Sequence, residues 1–191
     1  CFGNVMCSPF LLGHCAENGL AVSFLTEHGR FLARVQGGVS GNVLLRREQY
    51  RRADDPVLSA HMAQAFVIGK TANARTVLQR ALRDHGDKEG AAALENAVMR
   101  FGRVLDELKD ERPLEELRGR EGDAARTYFE VFDALITVQR ESFGFRERSR
   151  RPPLDNINAL LSFLYTMLAH DCVGALEAVG LDPQVGFLHR E

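Results

Sequence analysis

The chain has 191 residues, 45% hydrophobic and 26% charged, with 24 Lys+Arg against 26 Asp+Glu for a formal charge of −2. That is the mix of a globular chain of one ordinary domain, or of one domain plus part of a second. It excludes a disordered chain, a collagen-like repeat, an isolated coiled coil and an overall polycation, so a polyanionic partner has to be held by a local patch.

Ser8-Pro9 opens a short helical pattern through Leu11, Leu12 and Cys15, with Gly19 as its stop. Two apolar stretches follow, Ala21-Val22-Ser23-Phe24-Leu25 and Arg30-Phe31-Leu32-Ala33-Arg34-Val35, separated by a turn, Thr26-Glu27-His28-Gly29. They predict a β-hairpin within about 20–35. Gly37-Gly38 and Gly41 punctuate its exit. Two strands do not make a stable sheet alone, and the first residue is Cys1 rather than Met. The expectation is a β-rich stub of a protein that starts further upstream. Four cysteines, Cys1, Cys7, Cys15 and Cys172, form no C-x-x-C pair. They read as reduced, buried thiols of a cytoplasmic protein.

From Asp54-Asp55-Pro56 onward the apolar period is helical. Asp55 caps and Pro56 starts a first helix through Leu58, Met62, Phe66, Leu78 and Leu82. A second helix is predicted over 89–108. A third follows Pro113 and carries Leu114, Leu117, Ala124, Ala125, Tyr128, Phe132, Leu135 and Ile136. Pro152-Pro153 end that unit, and a fourth helix capped by Asp155 runs to a stop at Gly180. The fold class is α+β: an incomplete N-terminal β-rich domain with its linker (1–53), then a larger all-helical C-terminal domain (54–191). No signal peptide is recognisable. The apolar stretch 159–169 is too short and too interrupted by Ser162, Tyr165 and Thr166 to cross about 30 Å of hydrocarbon, so no membrane span is expected.

Three places could carry chemistry. Glu121 falls on the apolar stripe of its helix, four residues after Leu117 and four before Ala125. A carboxylate there must be paired, protonated or bound to a cation; an ion pair with Arg118 or Arg120 is the plainest solution. His189, in Gly186-Phe187-Leu188-His189, is either a metal ligand or an ordinary surface imidazole, and Glu with His alone falls short of a full ligand set. Between 140 and 151 stand five arginines, Arg140, Arg146, Arg148, Arg150 and Arg151, against Glu141 and Glu147, with Phe143 and Phe145 interleaved. Such a loop suits phosphate contacts, or is simply solvated. A smaller cluster, Arg46, Arg47, Arg51 and Arg52, brackets Tyr50. The 84–117 stretch has ten acidic and five basic residues and should face away from nucleic acid. No Walker or G-x-G-x-x-G phosphate loop is present, and Gly69-Lys70-Thr71 lies inside a helical pattern.

Three ordered segments resemble one family. They are Arg120-Glu121-Gly122-Asp123-Ala124-Ala125-Arg126; Arg148 to Pro153 with Asp155 and Asn158-Ala159-Leu160-Leu161; and Gly180-Leu181-Asp182-Pro183 through His189. The family is the CRISPR-associated endonuclease/integrase of spacer acquisition, the Cas one family. Gly29-Arg30-Phe31 and Gly41-Asn42-Val43 are similar to the second half of its β-domain. The resemblance implies Mg2+ or Mn2+ bound by a Glu, a His and an Asp, with Glu121 and His189 as the Glu and His, both catalytic. It implies DNA positioned by Arg146, Arg148, Arg150, Arg151 and Asn158. It also implies insertion of prespacer DNA at a CRISPR repeat, a homodimer, the partner nuclease Cas two and, in some systems, an iron–sulfur nuclease. The family's Asp lies beyond the His and is not matched in this sequence, so the chain reads as incomplete at both ends. Two rivals follow: a non-catalytic DNA-binding scaffold, and a helical protein–protein adaptor.

Overall fold

A computed structural model describes residues 1–35, 37, 42–86 and 90–189. Gly38, Gly41 and Glu89, named above, lie outside the described residues. In chain order the elements are α1 (Pro9–Glu17), β1 (Val22–Leu25), β2 (Phe31–Val35), α2 (Val43–Asp54), α3 (Pro56–His85), α4 (Ala91–Glu107), α5 (Leu114–Glu130), a 3-10 turn (Phe132–Leu135), the single turn α6 (Arg140–Phe143) and α7 (Asn156–Ala178). An N-terminal β part followed by helices is the α+β class the sequence predicts. The chain forms two compact units: Cys1–Arg51 with Leu161–Val185, and Arg52–Leu160 with Gly186–Glu191.

In the first unit, Ser8 caps α1 by accepting the Leu11 amide at 3.2 Å, and Gly19 closes its exit at φ +66°. The predicted hairpin forms. Val22 pairs with Val35 and Phe24 with Ala33 in antiparallel register, with a bulge before Leu25 pairs with Phe31. Leu25 is buried, and the Cys1–Phe2 backbone pairs alongside it. α2 is a helix where only a basic cluster was read. Asn42 opens it, its side-chain oxygen taking the Leu44 amide at 3.0 Å. The cysteines are free, as expected, but not buried: Cys1 and Cys172 are exposed, Cys7 and Cys15 intermediate. Leu25 is the one buried hydrophobic among the described residues of this unit, so the unit offers no deep core to take the thiols.

α7 corrects the reading of its apolar stretch. It is one continuous helix of 23 residues with a window of mean hydropathy 1.4, so by length and composition it could cross a membrane. Counting only 159–169 missed this, because Ser162 and Thr166 fit the helix; Thr166 donates to the Ser162 carbonyl at 2.9 Å. Within its unit α7 packs on the hairpin, with Glu177 paired to Arg34 and His170 stacked on Phe31 at 4.7 Å. It ends as predicted at Gly180, φ +85°, with the Leu181 amide on the Leu176 carbonyl at 2.9 Å.

The second unit is built on α3, α4 and α5. Asp55 caps α3, its Oδ1 accepting the Val57 and Leu58 amides at 2.8 and 3.0 Å, with Pro56 first in the helix. One buried cluster joins Leu78, Leu94, Ala97, Phe101 and Ala124; another joins Ala60, Ala63, Val67, Leu108 and Leu117. Each deep Leu or Phe contributes about 2–3 kcal/mol by leaving water. α5 stops at Glu130, not at Ile136 as the periodicity predicts. The chain tightens into the 3-10 turn there, which places Phe132 4.8 Å from Phe145 and lets aromatic packing replace further helical bonds. No unbroken helix spans Phe145 to Leu160, as predicted, but Pro152-Pro153 do not end the third helix, which has already stopped at Glu130; Asp155 caps α7 by accepting the Asn158 amide at 2.7 Å.

Candidate functional site

Glu121 lies on α5 one turn beyond Leu117, which is fully buried, and two turns before Tyr128, which packs on Phe129 and Phe132. Its side chain is only 20% exposed, so the carboxylate needs a countercharge. That charge comes from Lys70 on α3, whose Nζ pairs with Oε1. The expected partners are otherwise engaged. Arg118 gives Nε to the Leu188 carbonyl at 2.7 Å and Nη1 to Glu115 at 2.6 Å; Arg120 pairs with Glu107 at 2.7 Å. The reason is rotational: Arg120 stands about 100° round the helix from Glu121 and faces α4. Lys70 is placed by its neighbours, since Val67 and Thr71 are buried and hold this face of α3 inward.

His189 is delivered by a docked segment. Phe187 and Leu188 pack on the Ala60–Ala63–Leu117 cluster, and Ser59 donates to the Phe187 carbonyl at 2.9 Å. With Arg118 on the Leu188 carbonyl, the main chain beside His189 is fixed one turn of α5 before Glu121. Gly186 permits the turn, because a Cβ there would collide with the His189 carbonyl oxygen. The imidazole is exposed. Among the described residues no three His, Cys, Asp or Glu side chains converge on one point.

The arginine loop divides in two. Arg146, Arg150 and Arg151 are exposed. Arg148 is half-buried and gives Nη1 to the Asn158 Oδ1 at 2.7 Å and to the Ser149 carbonyl at 2.6 Å. Asn158 is 0% exposed. Its Oδ1 also accepts the Ser149 amide at 2.9 Å, and its Nδ2 donates to the Glu147 carbonyl at 2.8 Å and to Asp155 at 2.7 Å. It shapes the loop from inside and presents nothing to a ligand. Arg140 is tied to Asp133, whose Oδ1 accepts the Phe145 amide at 2.8 Å. Phe145 is buried against Phe129 and Phe132. It anchors the loop to the core, so the interleaved aromatics are not a stacking platform.

Sequence reasoning passed over the role of α2. In the first unit, Gln49 and the Asp182 backbone exchange two hydrogen bonds of 2.8 Å, and Arg46 Nε donates to the Gly180 carbonyl at 3.0 Å. Tyr50 donates to the Asp182 carboxylate. That bond, with the Gln184 amide at 2.9 Å, holds the Asp182 carboxyl below the usual carboxylate range, and the same bond raises the Tyr50 phenol. The basic cluster around Tyr50 thus serves partly to pin the Gly180–Pro183 loop. The cleft between α4 and α5 has about 370 Å³ and four arginines, three of them paired: Arg100 with Glu130, Arg120 with Glu107 and Arg126 with Asp123. It carries little unbalanced positive charge.

The family model described as CRISPR associated protein Cas1 matches residues 1–191. The CRISPR-associated endonuclease Cas1 1 of Chlorobaculum tepidum is 56% identical over 191 residues, covering 100% of this chain and 56% of that protein. The CRISPR-associated endonuclease Cas1 2 of Rhodospirillum rubrum is 50% identical over 194 residues, covering 100% and 56%. The chain therefore spans about half the length of the curated relatives it matches. Among solved structures, a casposase bound to integration product superposes with TM-score 0.75 at 25% identity, over 94% of this chain and 48% of that one. The Cas6-RT-Cas1--Cas2 complex does so with TM-score 0.72 at 25% identity, over 100% and 20%. A CAS1 protein from Thermotoga maritima, TM-score 0.72 at 20% identity over 99% and 57%, shares the fold.

Proposed function

This chain belongs to the CRISPR-associated Cas1 family, and from that footing we propose that the protein carrying it is a divalent-metal-dependent DNA endonuclease/integrase. In this reading it inserts prespacer DNA into a CRISPR array, in the cytoplasm, as part of defence against foreign DNA. The observation that carries it is Glu121: a carboxylate held half-buried on a helix, already neutralised by a cation, beside the docked 186–189 turn.

Glu121 and His189 are the residues that would hold Mg2+ or Mn2+. Two protein donors suit a hard ion that keeps water and takes substrate phosphate oxygens as further ligands. When bound, such an ion polarises a phosphodiester and stabilises the charge developing on its oxygens. The chain's own groups do the rest. Arg146, Arg150 and Arg151 hold the DNA backbone by charge-assisted bonds. Asn158, Arg148 and Asp155 keep that loop in one shape, so little ordering entropy is lost on binding. The 3′-hydroxyl of the prespacer forms a new P–O bond at the repeat; one P–O bond breaks, and the displaced strand leaves with its own 3′-hydroxyl.

DNA, a second copy of the protein and Cas2 are the partners proposed. Cas2 is supported by the complex that names it together with Cas1. An exonuclease partner is supported by a Geobacter sulfurreducens relative, 36% identical, named as a CRISPR-associated exonuclease Cas4/endonuclease Cas1 fusion; that this partner is an iron–sulfur nuclease is part of the proposal.

The test is strand transfer of a labelled duplex into a plasmid bearing a CRISPR repeat, with Mn2+, comparing the full-length protein with Glu121→Ala. Transfer that disappears in the variant supports the integrase. The exposed Arg146, Arg150 and Arg151 would equally serve a second reading, a non-catalytic DNA scaffold. Salt-sensitive DNA binding with no transfer from either protein would select it.

A further inference from the structure

Gly69-Lys70-Thr71, set aside in the sequence as the tail of a phosphate loop, puts a lysine where the proposed site needs explaining. We propose that Lys70 is the resident counter-cation of Glu121: it neutralises the carboxylate in the metal-free protein and has to yield that oxygen to a divalent ion. This rests on the metal-dependent reading above and adds a residue to it.

The two partners are unequal. Glu121 is 20% exposed and fixed on a packed helix, while the Lys70 side chain is 59% exposed on a flexible four-carbon stem. The carboxylate is the fixed member and the ammonium the movable one. Nearer cations are committed elsewhere: Arg118 to Leu188 and Glu115, Arg120 to Glu107. They cannot replace Lys70 without giving up the turn that carries His189 or the α4–α5 ion pair. The residue type also fits. An arginine would grip the carboxylate with two parallel N–H donors, whereas an ammonium is a point charge that leaves one oxygen open and is readily hydrated on release. A half-buried carboxylate is thereby kept charged and in place without a strong lock on it.

The consequence is competition. Removing the ammonium leaves Glu121 without its countercharge and removes a positive charge that would otherwise repel an incoming dication. The test measures free Mn2+ by electron paramagnetic resonance while the DNA-free, full-length protein is titrated. Lys70→Met should bind Mn2+ about three- to tenfold more tightly than wild type, the range set by a partly exposed charge contact. Lys70→Gln, a second neutral variant, should follow it. Lys70→Arg keeps the charge and adds a second donor, so it should bind Mn2+ about two- to fivefold more weakly than wild type, a direction that mere loss of packing would not give. If wild type binds, Glu121→Gln abolishes binding and Lys70→Met is unchanged or weaker, the metal site stands and the role of Lys70 falls. If neither wild type nor Lys70→Met binds Mn2+, both fall together.

Discussion

Asn158→Ala removes a side chain that makes four hydrogen bonds and touches no solvent. Two go to main-chain groups, the Ser149 amide and the Glu147 carbonyl, and two to ionised partners, Arg148 and Asp155. Alanine fills the volume poorly and leaves these groups facing a small gap. Each main-chain group stranded out of reach of water costs about 1 kcal/mol. The charged pair lies nearer the surface and can rehydrate, so its share is about 0.5–1 kcal/mol each. The sum is about 3–4 kcal/mol, read as a lowered urea midpoint for the transition of the helical unit at unchanged slope. Asn158→Asp should be no better, because it sets a carboxylate oxygen against Asp155 and the Glu147 carbonyl where donors stood. DNA affinity should fall with both variants, through loss of loop shape. A cost below about 1 kcal/mol for Asn158→Ala would refute the buried-hub account.

Arg150→Ala and Arg151→Ala should each weaken DNA binding and reduce the slope of log affinity against log salt by about 1, measured by fluorescence anisotropy across a salt series. Arg148→Ala should instead lower stability as well, because its guanidinium is tied to Asn158. Gly186→Ala should weaken Mn2+ binding, since the new Cβ collides with the His189 carbonyl and opens the turn at a cost of about 1–3 kcal/mol. Asp182 has its folded pKa depressed by Tyr50. A depressed carboxylate gives stability at neutral pH that is lost as pH falls through the ordinary carboxylate range toward the folded pKa. Tyr50→Phe should therefore shrink the stability lost on acidification, seen as a flatter acid limb in a pH series of urea midpoints.

What the sequence made legible was local. Ser8, Asp55 and Asp155 as caps, and Gly19 and Gly180 as stops, are decided within a few residues of themselves, and each behaves as its neighbours imply. Glu121 was placed on the stripe correctly because helix period is also local. Its partner was not, because Lys70 is 51 residues away and reaches it only after α3 packs on α5. Asn158 looked like a ligand residue by motif, yet its burial depends on how the loop from Glu147 folds back over α7. Phe145 stands among arginines with no local sign of burial, yet the packing of Phe129 and Phe132 draws it into the core. α2 was missed because its four arginines and the three glycines ahead of it read as charge and punctuation rather than as a helix.

α3 is 30 residues long, about 45 Å of unbroken rod. It holds Ser59, which secures the His189 segment, and Lys70, which meets Glu121, eleven residues or about 16 Å further along. It therefore works as a gauge: the spacing between the two supports is stored in a residue count and in no contact. One residue inserted between them would keep every helical propensity and every cap, yet swing Lys70 by about 100° away from Glu121. A surface loop can absorb one added residue by bulging, whereas this stretch of helix must keep its count.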